Sequence, residues 1–197
     1  MIKQESHPLL HWNYFTAIEA DVLRLSRFIE LDKRNYRTYS IEIVRIYLSA
    51  CSEVDVVSRQ LVELVDSNVR AENIRTYRDV LRPRFPVIER TKVRIPRHGL
   101  LLRPWSNWKK DETPRWWSDH QSVKHKRAQN YELANLQNML NSVAGLLVII
   151  IVYYRFLMKE AKLLLRPIPV LFEPDRELAY VAPIFGASEA LVVNEAS

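Results

Sequence analysis

The run Thr113-Pro114-Arg115-Trp116-Trp117-Ser118-Asp119-His120-Gln121-Ser122-Val123-Lys124-His125-Lys126-Arg127 decides how this chain is read. Pro114 suits the first turn of a helix, where its missing N–H costs nothing. Thr113 in front of it can serve as N-cap. The fifteen residues crowd two tryptophans, two histidines and a run of bases into about four helical turns. Downstream the sequence continues without a proline into the most apolar segment of the protein, as far as Glu160. A long central helix, or a pair of helices, is the expected hub of the fold.

The totals agree with a helical reading. At 197 residues the chain suits one domain with a real core. Apolar residues make up 48% and charged residues 26%, a soluble globular composition. Glycine is scarce, with only 3 residues, and the periodic runs are long, which disfavours a sandwich or barrel. A formal net charge of +6 attracts anions, although the bases are mostly interspersed with acids. The single cysteine, Cys51, rules out an internal disulfide and a cysteine-rich zinc site, and points to a reducing, cytoplasmic setting. It sits mid-helix among apolar residues as an inert core thiol. Met1 to His7 has no signal-peptide core. Val143 to Met158 is roughly 16 residues long and carries Arg155, short of a membrane span. A buried central helix and no membrane span are expected.

Periodicity places the other elements. The first helix is expected over Pro8 to about Leu31, with Ile18, Val22, Leu25 and Ile29 on one side. The second starts after Thr38 or Ser40 and runs to about Asp66 on the stripe Ile43, Ile46, Tyr47, Ala50, Val54, Val57, Leu61, Leu64 and Val65. Glu53 and Asp55 on it are expected to face solvent or to pair with Arg45 and Arg59. Asn68 to Leu81 forms a shorter helix that stops before Pro83. Val93 and Ile95 alternate with charges, and Arg97-His98-Gly99 is a turn signal, so a β-hairpin is expected over about 91–103. Trp105 and Trp108 cover the core. The central helices then run over Pro114 to Arg127 and Ala128 to about Leu165, stopped by Pro167 and Pro169. The fold class expected is all-α: a bundle of long antiparallel helices over 1–166, with the hairpin inserted at 84–113. The tail, 167–197, holds one strand-like run, Pro169 to Phe172, and is expected to be partly mobile, above all in its last ten residues.

Chemistry concentrates on the Pro114 helix. Trp117, Gln121, His125 and Ala128 share one side of it, and Trp116, His120, Lys124 and Arg127 the adjacent side. His120 and His125 are five apart, roughly 140° around the helix, which is poor spacing for one metal ion. No metal or other cofactor is expected. A histidine can move a proton near neutral pH, Lys124, Lys126 and Arg127 can hold a phosphate, and Trp116 and Trp117 can stack on a nucleobase. That set suits RNA binding, or RNA cleavage without metal. The plainer alternative stands beside it: tryptophans at a helix start ordinarily pack in the core, and bases ordinarily form a solvated face.

The same residues carry a resemblance. Trp116-Trp117 followed by His120-Gln121-Ser122-Val123-Lys124-His125-Lys126-Arg127 resembles the WW-x-x-YN-x-VKH-x-R signature of a group of bacterial helical proteins. The wider likeness takes in Ile18-Glu19-x-Asp21, Arg27-Phe28-Ile29-Glu30, Tyr39-Ser40-Ile41-Glu42, Cys51-Ser52-Glu53-Val54-Asp55, Pro104-Trp105 and the stretch Ala134 to Val148. It covers most of 14–158. That group is similar to the HEPN superfamily of small helical domains, many of which are dimeric, metal-independent RNases. Their motif sets an arginine, a polar residue and, after three intervening residues, a histidine along one helix. Here Gln121 takes the polar position, His125 that of the histidine, and His120 stands where the arginine belongs. A second frame, Arg115 to His120, restores the arginine spacing with Trp116 at the polar position. The resemblance implies a homodimer through the central helices and two alternative roles. One is an interaction or RNA-binding module, in a phage-defence or toxin-like setting. The other is a metal-independent endoribonuclease using His125 and His120, with Arg115, Gln121, Lys124, Lys126 and Arg127 around the phosphate.

Overall fold

The computed structural model describes residues 9–157, 164–184 and 188–193. Helices α1 (Leu10–Leu25), α2 (Ile41–Val65), α3 (Ile74–Arg84), α4 (Val87–Arg90), α5 (Arg115–His125) and α6 (Leu136–Leu157) are joined by strands β1 (Val93–Ile95), β2 (Leu100–Leu102), β3 (Leu164–Leu165), β4 (Glu173–Pro174), β5 (Ala179–Ile184) and β6 (Ser188–Val193). The strands make two antiparallel sheets, ordered β2-β1-β4 and β3-β6-β5. With 61% of the described residues helical and 13% in strands, the fold is mixed α+β. The expected all-α class is therefore corrected. The hairpin of β1 and β2 falls where the turn signal put it, with Gly99 at φ 61°. A third strand, β4, comes from the tail and pairs Val93 with Pro174 and Arg94 with Glu173. The second sheet joins β3, just before the tail, to two tail strands, and Ser188–Val193, expected to be mobile, forms its central strand.

The helices begin where their caps stand. Ser40 is extended at φ −159° and accepts from the Ile43 N–H at 3.2 Å, which starts α2 one residue later. Asn73 does the same for α3 through the N–H groups of Arg75 and Thr76. That start is later than the expected Asn68, and α3 runs through Pro83 to Arg84. Helix α1 is shorter than expected and stops at Leu25, in a turn closed by Phe28 and Ile29 N–H groups on the Leu25 carbonyl. The expected start at Pro8 lies outside the described residues.

Helix α6 is the middle of the molecule. Every residue from Ser142 to Val152 is buried, enclosed by α1, α2, α5 and the hairpin. Among the described residues it is the one helix long and apolar enough to cross a membrane by length and composition, and it is sunk in the core. It starts eight residues later than the expected Ala128. Two 3-10 turns, 127–129 and 131–133, intervene. The loop before α2 sets this start, because the Leu136 and Gln137 N–H groups, orphans of a first turn, donate to the carbonyls of Thr38 and Tyr36. The expected continuation to Leu165 passes through 158–163, outside the described residues.

Aromatic packing locks the hub. Trp105, Trp108, Trp116 and Trp117 are buried and step from ring to ring at 4.5, 5.2 and 5.7 Å. Each indole N–H of Trp105 and Trp116 has an acceptor, the Gly145 carbonyl at 3.1 Å and the Pro104 carbonyl at 2.7 Å. Gly145 lets the ring come this close, since a Cβ would stand 3.0 Å from Trp116 and the indole would have to give way by a few tenths of an ångström.

A buried histidine clamps α1 to α2. His11 places Nδ1 2.5 Å from Glu53 Oε1 and Nε2 2.9 Å from Gln60 Oε1. Glu53 thus pairs with His11 and not with Arg45, which bonds Glu42 and Asp21. The Glu53 carboxylate raises the His11 pKa above its usual value against the opposing effect of burial. A raised histidine stabilises the fold fully below its unfolded pKa of about 6.5, and the contribution is lost as pH rises through the folded value. Urea unfolding across pH 6 to 9 is expected to show this decline in the native chain. Glu53→Gln flattens it by removing the carboxylate charge.

Candidate nucleic-acid interface

Helix α5 carries the candidate residues. Pro114 itself takes the N-cap position, its carbonyl accepting from Trp117 and Ser118, and no side chain caps the helix. The burial pattern then splits the helix. Trp116, Trp117, His120 and Val123 face the core. Asp119 accepts from the buried Asn138 of α6 at 2.8 Å, which fixes α5 against the hub. Gln121 is half-buried, and Lys124, His125, Lys126 and Arg127 are exposed.

Between α5 and α2 lies an open cleft of about 470 Å³. Trp117, His120, Gln121 and Lys124 line it from α5. Leu48, Cys51, Ser52, Asp55 and Arg59 line it from α2, with Glu72 at the end. His120 is 5% exposed, held edge-on between Tyr47 and Trp117 at ring distances of 6.0 and 5.5 Å. Burial pushes its pKa down to about 4, helped by the charges of Lys124 and His125 and opposed by Asp55. At neutral pH this imidazole is uncharged. Asp55 accepts from the Tyr77 hydroxyl at 2.8 Å and from Arg59 at 3.0 Å. Burial, with the Asp55 hydrogen bond second, holds the Tyr77 phenol protonated well above its ordinary range. Tyr47 donates its hydroxyl to the Trp116 carbonyl and so ties α2 to α5 at the head of the cleft.

The expected site residues do not all meet. Trp116 is 4% exposed and spent on the core, so its ring faces are not open to a nucleobase. Trp117 contributes an edge to the cleft. Arg115 points into solvent and pairs with Asp119 at 3.5 Å, and it does not line the cleft. His120 and His125 are separated, one in the cleft and one in the exposed end of α5. Lys124, Lys126 and Arg127 have no ion-pair partner among the described residues. Asp55 pairs with Arg59, one of the two outcomes the sequence reading allows, and it also stands in a cleft with His120, which that reading misses. A signal existed: Leu48, Ser52, Asp55 and Arg59 follow at spacings of four, three and four, one stripe of α2.

Among the described residues, no group of three or more histidine, cysteine, aspartate or glutamate side chains is placed to hold a metal ion. Comparison with protein-family models, with curated proteins and with solved structures found no match.

Proposed function

We propose that this chain is an RNA-binding interaction module whose phosphate-binding edge is the C-terminal end of α5. The observation that carries the reading is the exposed run Lys124-His125-Lys126-Arg127, with three permanent cations free of acidic partners among the described residues. Unpaired cations at one edge hold condensed anions well, because no internal salt bridge must break first. The excess of positive charge, +6 overall, acts in the same direction. Helix α6 is covered by the rest of the chain from Ser142 to Val152, so α5 is the central helix able to meet a second copy in a homodimer.

The test is fluorescence anisotropy with a labelled single-stranded RNA at 50 and 200 mM salt. The native chain binds, and affinity falls as salt rises. The variant Lys124→Glu/Lys126→Glu/Arg127→Glu loses about 100-fold in affinity and roughly two units of salt slope. These side chains touch nothing in the core, so circular dichroism stays unchanged. Absence of binding by the native chain at 50 mM salt, with RNA of any length tried, sinks the proposal.

A second reading, metal-independent endoribonuclease, has one observation in its favour: His125 is exposed between Lys124 and Lys126, where a 2′-hydroxyl can reach it. The uncharged His120 supplies no positive charge at the position where the resembling family has arginine. Binding is thus the better-supported role. Cleavage of mixed RNA in EDTA that disappears in His125→Ala reverses that order.

A further inference from the structure

We infer that the cleft between α2 and α5 is a nucleotide pocket, taking one base of a bound RNA while its phosphate lies on Lys124. The inference rests on the RNA-binding reading and adds to it a place for the base. Three features of the cleft point to a ligand of this class.

The first is an open hydrogen-bonding position on a buried ring. The Gln121 amide lies 3.4 Å from His120 Nδ1. With Nδ1 accepting from that amide, the neutral ring carries its proton on Nε2. The hydrogen bond of this ring to a described residue is at Nδ1, which leaves Nε2 to a ligand on a side chain that lines the cleft. A ring 5% exposed on the wall of a cleft gives a ligand a hydrogen-bonding position fixed by its packing.

The second is the mixture of charge. Asp55 uses two of its roughly four acceptor positions on Tyr77 and Arg59, which leaves it able to accept from an exocyclic amine. Glu72 adds a second acceptor at the end of the cleft. A bare anion is repelled by these carboxylates, and a bare cation by Arg59 and Lys124. A nucleotide presents amine donors and ring acceptors at one end and a phosphate at the other, so it answers both. The third is the wall and the size. Leu48 and the Trp117 edge give the cleft an apolar side, and about 470 Å³ lies within the ~300–1,000 Å³ usual for small-ligand sites. Lys124 belongs both to this cleft and to the basic edge, which makes the two continuous.

The experiment titrates the full-length chain with AMP, GMP, CMP and UMP in turn, and with inorganic phosphate, following the imidazole signal of His120 and the indole signal of Trp117 by NMR. At least one nucleotide is expected to shift both signals saturably at millimolar concentration, with phosphate alone leaving them in place. Gln121→Ala, on a half-exposed position, weakens that binding about tenfold. Asp55→Asn changes which base is preferred, because it replaces an acceptor with a mixed donor and acceptor. Equal shifts with phosphate overturn the pocket and leave a plain anion site. No shift with any nucleotide, in a chain that still binds RNA by anisotropy, overturns the pocket and leaves the basic edge standing. No shift and no RNA binding removes both.

Discussion

Glu19→Ala is expected to cost about 3–6 kcal/mol and to release the tail from the helices. Glu19 is 4% exposed on α1, and its carboxylate is the acceptor for three consecutive backbone amides. Oε2 takes Val170 N–H at 3.0 Å, and Oε1 takes Leu171 N–H at 2.8 Å and Phe172 N–H at 3.0 Å. Alanine leaves these amides without an acceptor, those of Leu171 and Phe172 in a place where water reaches them poorly, and each orphaned buried donor costs about 1–3 kcal/mol. The loss spreads because the segment brings Leu171 and Phe172 into the core, Phe172 lying 6.5 Å from Phe15. Beyond it β4 pairs with β1. Glu19→Gln separates hydrogen bonding from charge. Its remaining oxygen can serve two of the three amides, and its NH₂ then faces the third as donor against donor, so the loss is about half as large. Urea unfolding measures the stability, and hydrogen exchange at 170–172 reports the release. A loss under about 1 kcal/mol for Glu19→Ala, with those amides still protected, refutes the anchor.

The same residue shows where the sequence is silent. Within α1, Glu19 is one of two acids, with Asp21, on a helix whose apolar stripe is Phe15, Ile18, Val22 and Leu25, and nothing local tells that it turns inward. Its partners lie about 150 residues away, in a segment with no regular period. The tail sheets hide for a related reason. Strands β3 and β4 are two residues each, too short for alternation, and they exist because a distant strand supplies the ladder. Where the cause is local, the elements are legible: Ser40 caps α2, Gly99 turns the hairpin, and Pro114 opens α5. The sequence reading divides the central helices at Arg127–Ala128, but the length of the break is not legible, because 126–135 contains no glycine or proline, and a carbonyl pair in the loop before α2 dictates where α6 starts. At the candidate site, His120, Gln121, Lys124 and Trp117 could be picked from one helix, whereas Asp55 and Arg59 come from another. No spacing rule within α5 reaches them.

His120→Phe is expected to make the protein more resistant to acid than the native chain, by about 3 kcal/mol at pH 4. The sign follows from the direction of the shift. The folded pKa of about 4 lies below the value of about 6.5 that an unfolded histidine has, so between these pH values the unfolded chain binds more protons. Native stability therefore rises with pH through that window, is fully present above it, and falls as pH drops from 6.5 toward 4. A difference of about 2.5 units at 1.36 kcal/mol each sets the size. Phenylalanine keeps an aromatic ring between Tyr47 and Trp117 and has no proton to gain. The other acids that titrate near pH 4 do so in both proteins, so they cancel in the difference between the two unfolding curves. His11, shifted in the opposite direction, cancels in the same way. The groups facing His120 predict how the window moves: Lys124→Gln removes a charge that lowers the imidazole pKa, and Asp55→Asn removes one that raises it. Lys124→Gln thus narrows the window and Asp55→Asn widens it. Curves for the native chain and His120→Phe that stay parallel from pH 7 to 4 place the ring in water, and the neutral imidazole on which the cleft chemistry depends is then lost.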